Sequence, residues 1–306
     1  MKSIKIIQLL FLLLSTIVFG QKTHQQILAQ LKNPKPNSVL VVAHRSDWRN
    51  APENSIDAMK RAIEMGVDII ELDVRKTKDG KLIVMHDVTL NRTSNGKGLI
   101  SETMYDSIAK LFLKDGMGIV RANKIPTLAE AMLFVKGKPV LVNLDKAYDC
   151  IPETYKVLVE TGTVAQGLFK GSETVEVLNE KYPDIMNKIN YMPMVWDISH
   201  DDKRKISSEP IPYTQNFLKK SNPIAFEVIF DNQKPPVFEL IKIIRDAKKT
   251  VWINTLWDTI CAGYTDEKAL ENPEGNWGEM IKWGANVIQT DRPKELIDYL
   301  AKRKMH

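Results

Sequence analysis

Along nearly the whole chain, apolar runs of four to seven residues alternate with longer segments of helical period, and no other feature limits the fold as much. The runs fall at 38–43, 67–74, 82–86, 139–144, 167–170, 191–195, 224–229, 250–254 and 286–289. Patterning between them predicts helices at 55–65, 101–113, 127–136, 152–161, 172–181, 235–248, 277–283 and 293–302. Several open on a cap, such as Thr127 with Glu130 three residues on. Strands that are apolar on both faces belong in parallel sheets covered by helices. About eight strand–helix units in roughly 260 residues predict a TIM (β/α)8 barrel rather than a doubly wound sheet. No glycine-rich phosphate loop follows any of the runs, which speaks against the second alternative as well.

The first 20 residues stand outside this rhythm. Lys2 and Lys5 precede an apolar stretch over residues 6 to 19, then Gly20 and Gln21, the pattern of a cleaved signal peptide. The stretch falls short of the roughly 20 apolar residues that span a bilayer, and Gln8 and Ser15 interrupt it. The expectation is an exported protein, periplasmic or secreted, with a barrel domain over 21–306 and no membrane span once the signal is removed. Taking away Lys2 and Lys5 leaves 41 basic against 38 acidic residues, a net of +3, with no long basic run. Nucleic acid therefore has no electrostatic support as a partner. Cys150 and Cys261 lie far apart, and their spacing leaves both a disulfide and two buried thiols open.

The run at 67–74 reads VDIIELDV and carries Glu71 and Asp73 inside a strand built to be buried. Two residues apart, they point to the same side. The reactive face of a barrel is the C-terminal ends of its strands, so both carboxylates face the mouth. Like charges this close repel each other unless a cation lies between them. Oxygen ligands call for a hard divalent ion, calcium or magnesium. Other strand ends add to the set: 38–43 runs into His44 and Arg45, 82–86 ends on His86 before Asp87, and 139–144 is followed by Asp145. Two histidines, an arginine and three carboxylates at one end are what phosphodiester chemistry needs. A cation and arginine offset phosphoryl charge, and an acid and a base move protons.

These motifs resemble the glycerophosphodiester phosphodiesterase family, barrel enzymes related to phosphatidylinositol-specific phospholipase C. The resemblance rests on His44-Arg45, Pro52-Glu53-Asn54, Glu71-x-Asp73 and HDVTLNRT at 86–93, continues through IPTLAEAM at 125–132 and returns at GANVIQTDRP, 284–293. It implies His44 and His86 as the acid–base pair and Arg45 as a phosphate ligand. Glu71 and Asp73 become metal ligands, with Glu53 and Asn54 supporting them. The family's third ligand is usually a glutamate; here Asp145 holds that place, and Asn143 on the same strand face is the alternative oxygen donor. The family lysine two residues later is Ala147, with Lys146 adjacent and expected to bind substrate in its place, and the glycine after His-Arg is Ser46.

The resemblance implies hydrolysis of a glycerophosphodiester to glycerol 3-phosphate and an alcohol, with a cyclic phosphate between. The alternatives are a phosphodiesterase or a cyclising lyase for another polyol or sugar phosphodiester, and a metal-binding barrel without turnover. Trp252, near the end of a late strand, belongs either against the glycerol or in the core. Head-group choice is expected in the long segments 199–222 and 257–275, where Trp257 and Tyr264 stand among Asp258, Asp266 and Glu267.

Overall fold

In the computed structural model, which describes residues 22–198 and 209–306, parallel strands close on themselves. They are β1 (Leu40–Ala43), β2 (Ile69–Lys76), β3 (Leu141–Asp145), β4 (Gly167–Gly171), β5 (Asn190–Asp197), β6 (Ala225–Phe230), β7 (Thr250–Asn254) and β8 (Val287–Thr290). Each pairs with the next in chain order, and β1 pairs with both β2 and β8. Closure leaves no row of unpaired backbone groups in the barrel. The expected (β/α)8 barrel is thus the observed fold. The signal segment expected at 1–20 lies outside the described residues, as does 199–208 within the long connection.

Alternation along the strands divides the core. Outward residues such as Val41, Ile70, Val142, Phe169, Val228 and Ile288 pack under the helices. Inward residues near the strand starts, among them Leu40, Ile69, Leu141, Leu168, Met192 and Trp252, fill the lower lumen. One step higher the inward positions turn polar while staying buried: Glu71, Asn143, Lys170, Glu227, Asn254 and Gln289. An apolar floor under a polar mouth is the arrangement that positions the site.

Three local departures from the sequence reading have physical causes. A helix at His24–Lys32, capped by Thr23 and Gln26, was not anticipated. It buries Ile27 and Leu31 against the lower core, each worth about 1.5–3 kcal/mol. The run at 82–86 is not a barrel strand: Leu82–Val84 folds back antiparallel on the top of β2, Val74 opposite Val84. The helix expected at 101–113 is instead a 3-10 turn at Ile100–Glu102, one helical turn at Tyr105–Ile108 and a strand, Phe112–Lys114, paired with Val120–Lys124. Its apolar residues serve a satellite core with Ile83, Met85 and Leu90, so packing overrides the helical period. Cys150 and Cys261 are buried free thiols.

Candidate active site

Register brings the acids together. Because β2 and β3 pair with Glu71 opposite Asn143 and Asp73 opposite Asp145, the three carboxylates share one side of the lumen. One oxygen from each of Glu71, Asp73 and Asp145 lies within 4.8 Å of the others. Burial, and then the charge of Asp73, pushes the Glu71 carboxyl up to about 7. Asp73 is also fully buried, yet Lys146, His86 and Arg45 hold it well below the usual carboxylate range. Glu71 Oε1 and Asn143 Oδ1 are buried without a hydrogen-bond partner. Orphaned oxygens beside a carboxylate cluster fit a hard divalent cation, which takes all-oxygen ligands.

Each histidine is held by its own carboxylate. His44 Nδ1 lies 2.8 Å from Asp291 Oδ1, and His86 Nδ1 lies 2.7 Å from Asp87 Oδ1. In both rings Nε2 is the nitrogen left free for proton transfer. Burial lowers the His44 imidazolium, but the Asp291 bond and the charges of Glu71 and Asp291 outweigh it, for a net rise above 6.5. For His86, burial dominates and Lys146 and Arg45 add to it, so its pKa falls despite Asp73. Between the two values the pair therefore holds one proton, on His44. In chelated protein, NMR titration is expected to show His44 protonating at higher pH than His86, and the reverse order would contradict this electrostatic reading.

His86 reaches the mouth by an unexpected route. The antiparallel return from β2 carries it there, with Met85 N donating to Asp73 O at 2.9 Å and Arg75 donating twice to His86 O, at 2.7 and 3.0 Å. Arg92 then bridges Asp87 and Glu53, with donor distances of 2.7 to 2.9 Å. Glu53 accepts in turn from Arg45 at 3.3 Å, so this supporting acid steadies arginines rather than the acidic cluster. Asn54 Nδ2 donates to Asp73 Oδ2 at 2.9 Å and its Oδ1 accepts from Asp73 N at 3.2 Å, fixing that carboxylate. Arg45 N donates to Glu71 Oε2 at 2.7 Å. The backbone that achieves this is left-handed at Arg45 (φ 51°), Ser46 (φ 66°) and Asn54 (φ 61°). That conformation accounts for the glycine expected at position 46, since only glycine adopts it without steric cost.

Several contributors escaped the sequence reading. Asp291 sits in the quoted TDRP motif but gained its role only when β8 closed beside β1. Asp266, expected among the head-group acids, is instead the buried first residue of a helix over Asp266–Glu271; it accepts from Asp291 N at 2.7 Å and from Thr255, Trp277 and Thr290, and so sets the Asp291 backbone. Lys170 and Glu227, inward-pointing from β4 and β6 on either side of β5, pair at 3.2 Å with 3% and 1% side-chain exposure. Asp145 stands 3.7 Å from Lys170. No spacing rule links two residues 57 positions apart.

Two expectations are corrected. Trp252 has no exposed surface and lies in the lower core, its Nε1 donating to Asn254 Oδ1 at 3.1 Å. It stands one layer too deep to meet a substrate. Tyr264 packs edge-on against Trp283, 5.0 Å between centroids, in the outer core and away from the mouth. Trp257 does stand at the mouth, 44% exposed, 6.1 Å from the His44 ring. Its neighbouring acids are already engaged: Asp258 with Lys268, and Glu267 with Arg49 and Arg292.

Comparison with known proteins gives the same picture. The model of the glycerophosphoryl diester phosphodiesterase family matches residues 44–165, and a model described only as a domain of unknown function matches 191–300. A glycerophosphodiester phosphodiesterase from Caldanaerobacter subterraneus is 48% identical over 107 residues, 35% of this chain and 44% of that protein. The chain thus covers less than half of that relative's length. Bovine glycerophosphodiester phosphodiesterase 1 is 27% identical over 238 residues, 72% of this chain and 67% of the relative. Among solved structures, a glycerophosphoryl diester phosphodiesterase from Parabacteroides distasonis superposes with a TM-score of 0.73 at 21% identity, covering 93% of each chain. An Oleispira antarctica phosphodiesterase, solved with the product sn-glycerol-3-phosphate, has a TM-score of 0.62 at 20% identity, covering 86% of this chain and 96% of that one.

Proposed function

We propose that this chain, which belongs to the glycerophosphoryl diester phosphodiesterase family through residues 44–165, hydrolyses glycerophosphodiesters to glycerol 3-phosphate and an alcohol. The observation that carries this reading is the pair of carboxylate-held histidines beside Arg45 and a buried three-carboxylate cluster, all at one barrel mouth. Glu71, Asp73 and Asp145, with Asn143 Oδ1 in reach, would hold a divalent cation, calcium or magnesium. Such an ion offsets phosphoryl charge and lowers the pKa of the attacking hydroxyl.

The chain's own residues supply the proton chemistry. His86, whose pKa burial lowers, accepts the proton of the glycerol 2-hydroxyl as its oxygen attacks phosphorus. His44, whose pKa is raised against burial by its bond to Asp291, donates to the departing alcohol as the phosphorus–oxygen bond to it breaks. In the second step His44 takes a proton from water, and His86 returns its proton to the 2-oxygen as the cyclic phosphate opens. Both rings end as they began. Arg45 supports phosphoryl charge from the same loop. Incubation of purified protein with glycerophosphocholine, glycerophosphoethanolamine and glycerophosphoinositol, with and without calcium or magnesium, tests the reading. Glycerol 3-phosphate is the expected product. Accumulation of a cyclic phosphate would make the protein a lyase, and no turnover on any of the three would reject the assignment.

Metal binding carries its own prediction. With the Glu71 carboxyl at about 7, part of the cluster is protonated at pH 6 and ionised at pH 8. A cation must displace that proton at the lower pH and not at the higher. Calorimetry in buffers of different ionisation enthalpy is expected to show more protons released per ion at pH 6 than at pH 8. Glu71→Gln should abolish both the release and most of the affinity. Equal proton release at the two pH values would place the ion elsewhere.

Head-group choice falls to Trp257 rather than Tyr264. An exposed indole beside His44 can cover a cationic head group, a contact worth about 0.5–2 kcal/mol. Trp257→Ala should raise KM for glycerophosphocholine about 2- to 30-fold more than for glycerophosphoinositol. Tyr264→Phe should change neither. Export is part of the same proposal, supported by the sequence pattern at 1–20. N-terminal sequencing of protein from fractionated cells should find a mature chain beginning at Gln21.

A further inference from the structure

Two lysines serve the acidic cluster, and they are built differently. Lys170 is enclosed in the lumen, 3% exposed, between Glu227 and Asp145. Lys146 approaches from the mouth: its Nζ lies 2.6 Å from Asp73 Oδ1 and 3.3 Å from Asp145 Oδ2. It precedes a 3-10 turn at Ala147–Asp149 and has left-handed backbone (φ 61°), which turns its side chain back over the strand end it has just left. The two carboxylates it bridges are two of the three that would hold the cation.

We infer that Lys146 is a built-in competitor for the divalent cation: its ammonium occupies the Asp73–Asp145 edge of the cluster and must withdraw before an ion can bind there. The inference rests on the metal-binding reading above and adds a regulatory property to it. An ammonium and a divalent cation cannot share two carboxylate oxygens, because the like charges would meet at contact distance. Lys170 has no room to leave and stays as a permanent counter-ion. Lys146 has 12% of its side chain exposed at the mouth, where a displaced ammonium can turn to a substrate phosphate. Metal occupancy and phosphate binding are thereby coupled through one side chain.

The test measures calcium affinity by calorimetry on chelated full-length wild type and Lys146→Met at pH 8, where Glu71 is ionised. Removing a charge-assisted pair that the ion must otherwise break should tighten binding about ten- to a hundred-fold. Melting curves give a second readout. Metal-free Lys146→Met should melt below wild type, because Asp73 and Asp145 lose their counter-charge, and saturating calcium should raise its Tm by more than it raises that of wild type. A purely structural lysine would lower Tm equally with and without metal, and that outcome rejects the inference. Equal affinity in the two proteins also overturns it while leaving the metal site intact. If neither protein binds calcium or magnesium, the metal-binding reading fails and takes the inference with it. Binding by the variant alone would support competition in its strongest form.

Discussion

Replacing His44 or His86 by alanine lowers turnover by about 10²–10⁴-fold, the usual worth of a positioned general acid or base, while the fold remains near that of wild type. Neither side chain supports the barrel. His44 and His86 stand at the mouth, tied to Asp291 and Asp87, and Arg92 and Glu53 keep Asp87 occupied when the His86 ring is gone. The loss should fall on kcat more than on KM, since the proton transfers stabilise the transition state rather than bound substrate. Asp291→Asn offers a finer check, because it leaves the His44 ring in place while removing the charge that raises its pKa. It should cost less than His44→Ala and shift the alkaline limb of the pH profile downward. Full activity in either alanine variant would remove the histidines from the mechanism.

Lys170→Met is expected to destabilise the protein by about 3–5 kcal/mol, because it strands the Glu227 carboxylate in the lumen. Glu227 is 1% exposed, and among the described residues its other hydrogen-bond partner is Asn254, which donates to Oε1 at 2.7 Å. Asp145 loses a neighbouring charge as well. The double variant Lys170→Met, Glu227→Leu should recover most of the loss, since removing both charges of a buried pair is often close to neutral. Urea unfolding at pH 7 in chelator measures both. A cost under about 1 kcal/mol for the single variant would mean water reaches Glu227.

Sequence alone determined the barrel, because fully buried parallel strands must be apolar on both faces and must alternate with helices that cover them. It also determined Glu71 and Asp73 as neighbours, since a period of two places them on one side of one strand. Asp145 could be placed at the same height because it too ends a strand. Everything that depended on which strands lie side by side came only from the tertiary structure. Closure of β8 on β1 delivered Asp291 to His44 from 247 residues away. The two strands that flank β5 made an ion pair of Lys170 and Glu227, and the layer at which Trp252 sits decided that it is core and not site. The antiparallel excursion beyond β2 was hidden because a short apolar run reads alike in either direction, yet that excursion carries His86 to the mouth. Local spacing fixes which face a side chain takes; its partner across the lumen is set by register and closure, which only the folded chain supplies.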